Sequence, residues 1–123
     1  MKETMLNEKI WAVVGAGKDS KKFGYKIYQR LKEKNYQVYA VNPGLDKIDE
    51  DPCYKDLSSL PVVPDVIDMV VAPNRAKTVL EEAAKLGIKN VWFQPGSHDP
   101  ETVKLAESLG LNQVQACVLV ETK

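Results

Sequence analysis

Gly15-Ala16-Gly17-Lys18-Asp19-Ser20-Lys21-Lys22-Phe23-Gly24 is the segment whose residue types point most directly to chemistry. Glycines allow a tight turn and let backbone N–H groups approach a bound anion, and lysines add positive charge. Together they suit a phosphate or pyrophosphate. The spacing is not G-x-G-x-x-G, because Ser20 stands at the third glycine position and the next glycine is Gly24. Nor is it G-x-x-x-x-G-K-[ST]. Taken alone, the glycines fit a plain strand-to-helix turn as well. Charge adds a second signal, since residues 18–34 hold seven bases against two acids. Cations at a helix N-terminus oppose the helix dipole. A solvated helix face accounts for Arg30, Lys32 and Lys34, but an anion accounts better for Lys18, Lys21 and Lys22. Residues 45–68 hold seven acids and two bases, read here as an acidic surface without the spacing of a calcium loop.

Other reactive groups are few. The chain has two cysteines, Cys53 and Cys117, and one histidine, His98, too few for a structural zinc site. No metal site is expected. A Cys–His pair for acyl transfer is conceivable, but Cys117 reads as a buried thiol late in a strand, Cys53 as a loop residue, and His98 as a turn residue. No nucleophile–base–orienter set assembles, so no catalytic residue is assigned and a non-catalytic binding protein is expected.

The elements that must position the loop alternate between strand and helix. Ile10–Val14 is a short apolar run ending at a glycine, a buried strand. A helix over 20–34 has a stripe of Phe23, Ile27, Tyr28 and Leu31, and Asn35 ends it. Residues 36–41 form a second strand, halted by Asn42-Pro43-Gly44; residues 45–64 read as irregular. Residues 66–71 form a third strand, followed by a helix from Pro73 to Gly87. A fourth strand over 90–93 ends at Gln94-Pro95-Gly96, a helix capped by Asp99 runs to Gly110, and a fifth strand covers 113–118. Alternation at this spacing predicts one α/β domain over 1–123: a doubly wound, Rossmann-like, five-stranded parallel sheet of order 3-2-1-4-5.

Ligands in such sheets sit at the carboxyl ends of the strands, where strand order reverses. The expected site is therefore Gly15, Ala16, Gly17, Lys18, Ser20, Lys21 and Lys22, with Asn42, Pro43 and Gly44, then Ala72, Pro73 and Arg75, and Gln94, Pro95 and Gly96. An NAD site of the usual kind carries an acid after strand 2 for the adenine ribose. This strand ends Ala40-Val41-Asn42 instead. A carboxylate there would repel a ribose phosphate, so its absence beside a basic loop favours coenzyme A or NADP.

Composition bounds the rest. The 123 residues are 44% hydrophobic and 28% charged, with 17 basic and 17 acidic side chains, ordinary for one globular domain. Zero net charge argues against a nucleic-acid or membrane-surface partner. No secretory signal and no membrane span is expected, and the two cysteines suit a reducing, cytoplasmic setting. A homo-oligomer or a protein partner is left open.

The chain resembles the small CoA-binding proteins, which are similar to the CoA-binding domain of the succinyl-CoA synthetase α subunit. The resemblance rests on Val14-Gly-Ala16, Tyr39-Ala-Val-Asn-Pro43, Cys53-Tyr54 with Leu57–Leu60, Val66–Val71 with Ala72-Pro73, Gly87–Gln94, and Cys117. It implies CoA or acyl-CoA as ligand, the pyrophosphate on the first loop and the adenosine end near the strand 2 turn. This sequence departs from the family at Gly17, where Ser is usual, and at Ala116, where Arg is usual; Leu45 stands where the synthetase has Lys. The synthetase's phosphohistidine domain has no counterpart. Two other readings are kept: an NAD(P)-binding sensor or dehydrogenase-like module, and an interaction domain with a vestigial nucleotide site.

Overall fold

Ile10–Val14 forms the central strand because four of its five residues are buried, with side chains passing alternately to two separate cores. The computed structural model describes all residues, Met1 to Lys123. Along the chain lie α1 (Lys2–Leu6), β1 (Ile10–Val14), α2 (Phe23–Glu33), β2 (Gln37–Val41), β3 (Lys47–Ile48) and β4 (Asp51–Tyr54). A 3-10 turn over Leu57–Ser59 precedes β5 (Val66–Met69), α3 (Pro73–Lys85), β6 (Asn90–Phe93), α4 (Pro100–Ser108), β7 (Asn112–Gln115) and α5 (Val118–Glu121). Ala12, Val14, Ile67, Met69, Val91 and Phe93 meet Ala76, Leu80 and Ala83 of α3 and Ala106 of α4 on one face. Trp11, Val13, Val66 and Trp92 meet Met5 of α1, Ile27 and Leu31 of α2 and Val118 of α5 on the other.

The α/β class and the mostly parallel, two-faced sheet are as the sequence predicts. The strand number and order are not. The sheet has seven strands in the order β3-β4-β2-β1-β5-β6-β7, where five in the order 3-2-1-4-5 were expected. The expected third strand, β5, pairs with β1, Trp11 opposite Val66 through Val14 opposite Met69. The place outside β2 belongs to β4, from the segment read as irregular. It pairs parallel with β2 at Ala40–Cys53 and Val41–Tyr54 only. With β4 counted, six parallel strands run 3-2-1-4-5-6, the order of dinucleotide-binding sheets. β3 adds an antiparallel edge through Lys47–Pro52 and Ile48–Asp51.

Two boundaries also move. The first long helix starts at Phe23, so Ser20 and Lys21 belong to the loop. Phe23 is 63% exposed and leaves the buried stripe formed by Ile27, Tyr28 and Leu31. The last strand ends at Gln115, and Cys117 is the N-cap of α5. Helix ends otherwise follow their local signals. Asn35 has φ 69° after α2, and Asp99 and Thr102 form a reciprocal capping box on α4.

Asp68 is an anomaly in this frame. It lies on β5 opposite Val13 and Trp92, fully buried, and neither carboxylate oxygen has a hydrogen-bond partner. Burial pushes its carboxyl well above the usual carboxylate range. No helix is long and apolar enough to cross a membrane.

Candidate functional site

The glycine loop is fastened to the sheet at both ends. Gly15 donates its N–H to Val41 O at 2.9 Å and takes φ +100°. A side chain there would be strained and would meet Val71 Cγ1 at 3.0 Å. Gly24, in the first turn of α2, lies against that same loop. A Cβ on it would stand 2.3 Å from Gly15 O and 3.2 Å from Gly17 N. Gly24 therefore does what the third glycine of a dinucleotide fingerprint does, letting helix and strand end approach closely. The spacing rule hid it, because it lies four positions beyond the expected one at Ser20. Between these anchors, Asp19 orders the turn: its Oδ1 accepts from Lys21 N–H at 3.0 Å and its carbonyl from Lys22 N–H at 3.0 Å.

Asn42 joins the loop to the turn after β2. Its Nδ2 donates to Ala16 O at 2.9 Å, and its Oδ1 accepts from Gly44 N–H at 2.9 Å. Its backbone N–H donates to Tyr54 O at 2.8 Å, tying in β4. The turn after β6 is held in a similar way. Gln94 is buried, and its Oε1 accepts from Val118 N–H at 3.0 Å, which fixes the start of α5 and Cys117.

The bases of residues 18–34 divide by position. Arg30 donates to Leu119 O at 2.9 Å, Lys32 pairs with Asp51, and Lys34 donates to Lys123 O at 3.2 Å. These three have structural work within the fold. The side chains of Lys18, Lys21 and Lys22 have no hydrogen-bond or ion-pair partner and are exposed. The acidic segment meets α2 along its length, through Tyr25 and Gln29 to Asp49 and Tyr28 and Lys32 to Asp51. Lys32, ahead of the hydroxyl of Tyr28, holds the Asp51 carboxyl below its ordinary range.

Two cavities open over the carboxyl ends of the strands. One, of about 710 Å³, joins Gly15, Gly17, Lys18, Lys21, Lys22, Asn42, Gln94 and Pro95. The other, of about 620 Å³, joins Gly15, Asn42, Pro43, Ala72 and Arg75. They share Gly15, Asn42 and Val70, so they form one trough across the gap between β1 and β5, where strand order reverses. Ala16, Ser20, Gly44, Pro73 and Gly96 line neither cavity. Of these, Ala16 is buried beneath the loop and Gly44 serves the Asn42 turn.

The trough also contains residues that the sequence did not place in it. Phe23, Gly24 and Cys117 line the first cavity, and Lys55 and Thr78 line the second. For Phe23 and Gly24 the signal was their place at the end of the loop. Nothing local marks Lys55 or Thr78. His98 lines neither cavity and packs edge-on against Phe93, with centroids 5.9 Å apart. Cys53 is not an exposed loop residue. It is buried on β4, and burial raises its thiol pKa. No three His, Cys, Asp or Glu side chains converge as metal ligands would.

This geometry has close counterparts. A conserved hypothetical protein from Pyrococcus furiosus superposes with a TM-score of 0.86 and 37% identity, over 93% of this chain and 99% of that one. A hypothetical protein from Pyrococcus horikoshii gives 0.91 and 31%, over 98% and 85%. The ADP-forming acetate–CoA ligase of Methanocaldococcus jannaschii is 41% identical over 81 residues, 63% of this chain and 11% of the ligase. The chain spans only 11–21% of the length of the acetate–CoA ligases and ligase subunits it matches. The family described as a CoA binding domain matches residues 9–123. With the dinucleotide strand order and the glycine loop at its switch point, the chain belongs to that CoA-binding domain family.

Proposed function

We propose that the chain binds coenzyme A or an acyl-CoA across the trough and does not itself catalyse a reaction. The observation that carries this reading is the meeting of the two cavities at Gly15, Asn42 and Val70, beside three lysines with no partner in the fold. CoA is elongated, with its negative charge near the middle and at the ribose. The pyrophosphate lies on the loop of Gly15, Ala16 and Gly17 beside the N-terminus of α2, where the helix dipole favours an anion. Lys18, Lys21 and Lys22 face it, with Ser20 at the turn. The adenosine end enters the cavity of Asn42, Pro43, Gly44, Ala72, Pro73 and Arg75, where Arg75 and Lys55 are the cations available to the ribose 3′-phosphate. The pantetheine arm runs along Gln94, Pro95 and Gly96 toward Cys117.

The ligases that match this chain act on CoA, as their names state, and that supports the choice of ligand. An NAD reading is weaker. Asn42 stands where an acid would take the ribose hydroxyls, and both ends of its amide are already bonded within the fold. Against catalysis, the one histidine, His98, lies outside the trough that holds the Cys117 thiol.

Calorimetric titration tests this. Affinity is expected to fall from CoA to dephospho-CoA to NAD. Loss of the 3′-phosphate should cost about tenfold or more, because a charge-assisted hydrogen bond contributes ~1.5–3 kcal/mol. The double variant Lys21→Glu, Lys22→Glu should bind CoA far more weakly while melting like the parent protein, since both residues are exposed. Equal affinity for CoA and NAD, or unchanged binding after the charge reversal, would refute the assignment.

A further inference from the structure

Phe23 is out of place as a core residue. Five large hydrophobic side chains are strongly exposed: Met1, Phe23, Val62, Val63 and Val120. Of these, Phe23 alone lines either cavity of the trough, in the one that runs from Gly15 to Gln94, Pro95 and Cys117. Its neighbours there are mostly polar: Lys18, Asp19, Lys21, Lys22 and Asn42. An exposed ring at the first position of a helix contributes nothing to the core below, which Ile27 and Leu31 fill from the next turns. The ring is nonetheless steadied, with Lys26 Nζ 5.8 Å from its centroid in a cation–π contact.

We infer that Phe23 is a specificity-determining residue, an apolar wall for the neutral arm that extends beyond the pyrophosphate of the bound ligand. This rests on the CoA reading above and extends it to the arm. The base end is excluded by position. The cavity that holds Phe23 lies toward β6 and α5, whereas the adenosine cavity lies toward β2 and β4. The matching chemistry is a branched alkyl and amide chain, such as pantetheine, that buries apolar surface against the ring when it binds.

The test compares two ligands that share a nucleotide and differ in the arm: CoA and 3′-phosphoadenosine 5′-diphosphate. Affinities are measured by calorimetry for the parent protein, Phe23→Ala and Phe23→Leu. Removing the ring should weaken CoA by on the order of tenfold and leave the armless nucleotide within about twofold, from the apolar area at stake. Phe23→Leu should recover part of the loss, and it covers the case in which the alanine variant folds poorly. Equal weakening of both ligands, or of neither, overturns the role of Phe23 while leaving the CoA site standing. If the parent protein binds neither ligand, the CoA reading fails and this inference fails with it.

Discussion

Gly24→Ala sets two effects of opposite sign against each other. In an exposed helix, alanine in place of glycine stabilises by ~1 kcal/mol. At Gly24 the new Cβ would lie 2.3 Å from Gly15 O, 3.2 Å from Gly17 N and 3.3 Å from Ala16 Cα. All three are backbone atoms, so no rotamer change relieves the contact. Ordinary contact begins near 3.4 Å, so α2 and the loop must separate by the difference from 2.3 Å, about 1.1 Å. Overpacking of this kind costs ~1–3 kcal/mol. After the helix gain is subtracted, the variant should lose up to about 2 kcal/mol, a fall in Tm of as much as roughly 10 °C for a domain of this size. CoA affinity should fall at least tenfold, because the loop N–H groups and the helix N-terminus no longer converge on one phosphate position. Thermal unfolding followed by circular dichroism, with calorimetric titration of CoA, measures both. Gly17→Ala is the control. A Cβ there meets nothing within 4 Å, and its stability should stay within about 0.5 kcal/mol of the parent. A Gly24→Ala protein as stable as the parent and binding CoA equally well would refute the close-approach argument.

Two other substitutions address groups with no freedom to rearrange. Asn42→Asp keeps the acceptor for Gly44 N–H but places a carboxylate oxygen against Ala16 O; denaturant unfolding should show a loss of about 1–3 kcal/mol, and titration a weaker CoA site. Asp68 has its folded-state pKa raised by burial, so the folded chain holds a proton that the unfolded chain releases above about pH 3.9. Stability should therefore fall by about 1.4 kcal/mol per pH unit above that point, until the buried carboxyl itself ionises. Unfolding curves across pH should show this slope in the parent and lack it in Asp68→Asn, and parallel pH profiles for the two proteins would count against a protonated Asp68.

Most of the layered fold was legible because the signals were local. Ile10–Val14 is apolar and stops at Gly15, and Asn35 and Gly87 sit where helices must end in left-handed backbone, at φ 69° and 80°. Strand order was not legible, because it depends on pairing between distant segments. Asp51-Pro52-Cys53-Tyr54 carries an acid and a proline and no alternation, yet it pairs beside β2 through its last two residues. Pro52 is tolerated because β4 pairs with β2 only beyond it. The overrun of the last strand has a tertiary cause too, since Val118 N–H goes to the Gln94 side chain. Within the site, the dipole argument separated Lys18, Lys21 and Lys22 from Arg30, Lys32 and Lys34, and the contacts divide them in the same way. Phe23 fits a helical stripe by spacing, but a first-turn position lets it project past the core.

The pairing of the acidic hairpin with one side of α2 also shapes how a ligand arrives. Asp49 and Asp51 engage Tyr25, Gln29, Tyr28 and Lys32, which keeps two of the four acids of residues 45–51 against the helix body. Lys18, Lys21 and Lys22, with no partner in the fold, stand at one end of the helix around the mouth of the trough. A molecule with no net charge thus carries a field that draws anions toward that mouth and orients them before contact. Such a field acts within about one Debye length, ~8 Å at physiological salt. It governs the rate of capture more than the lifetime of the complex, which depends on the contacts made inside the trough.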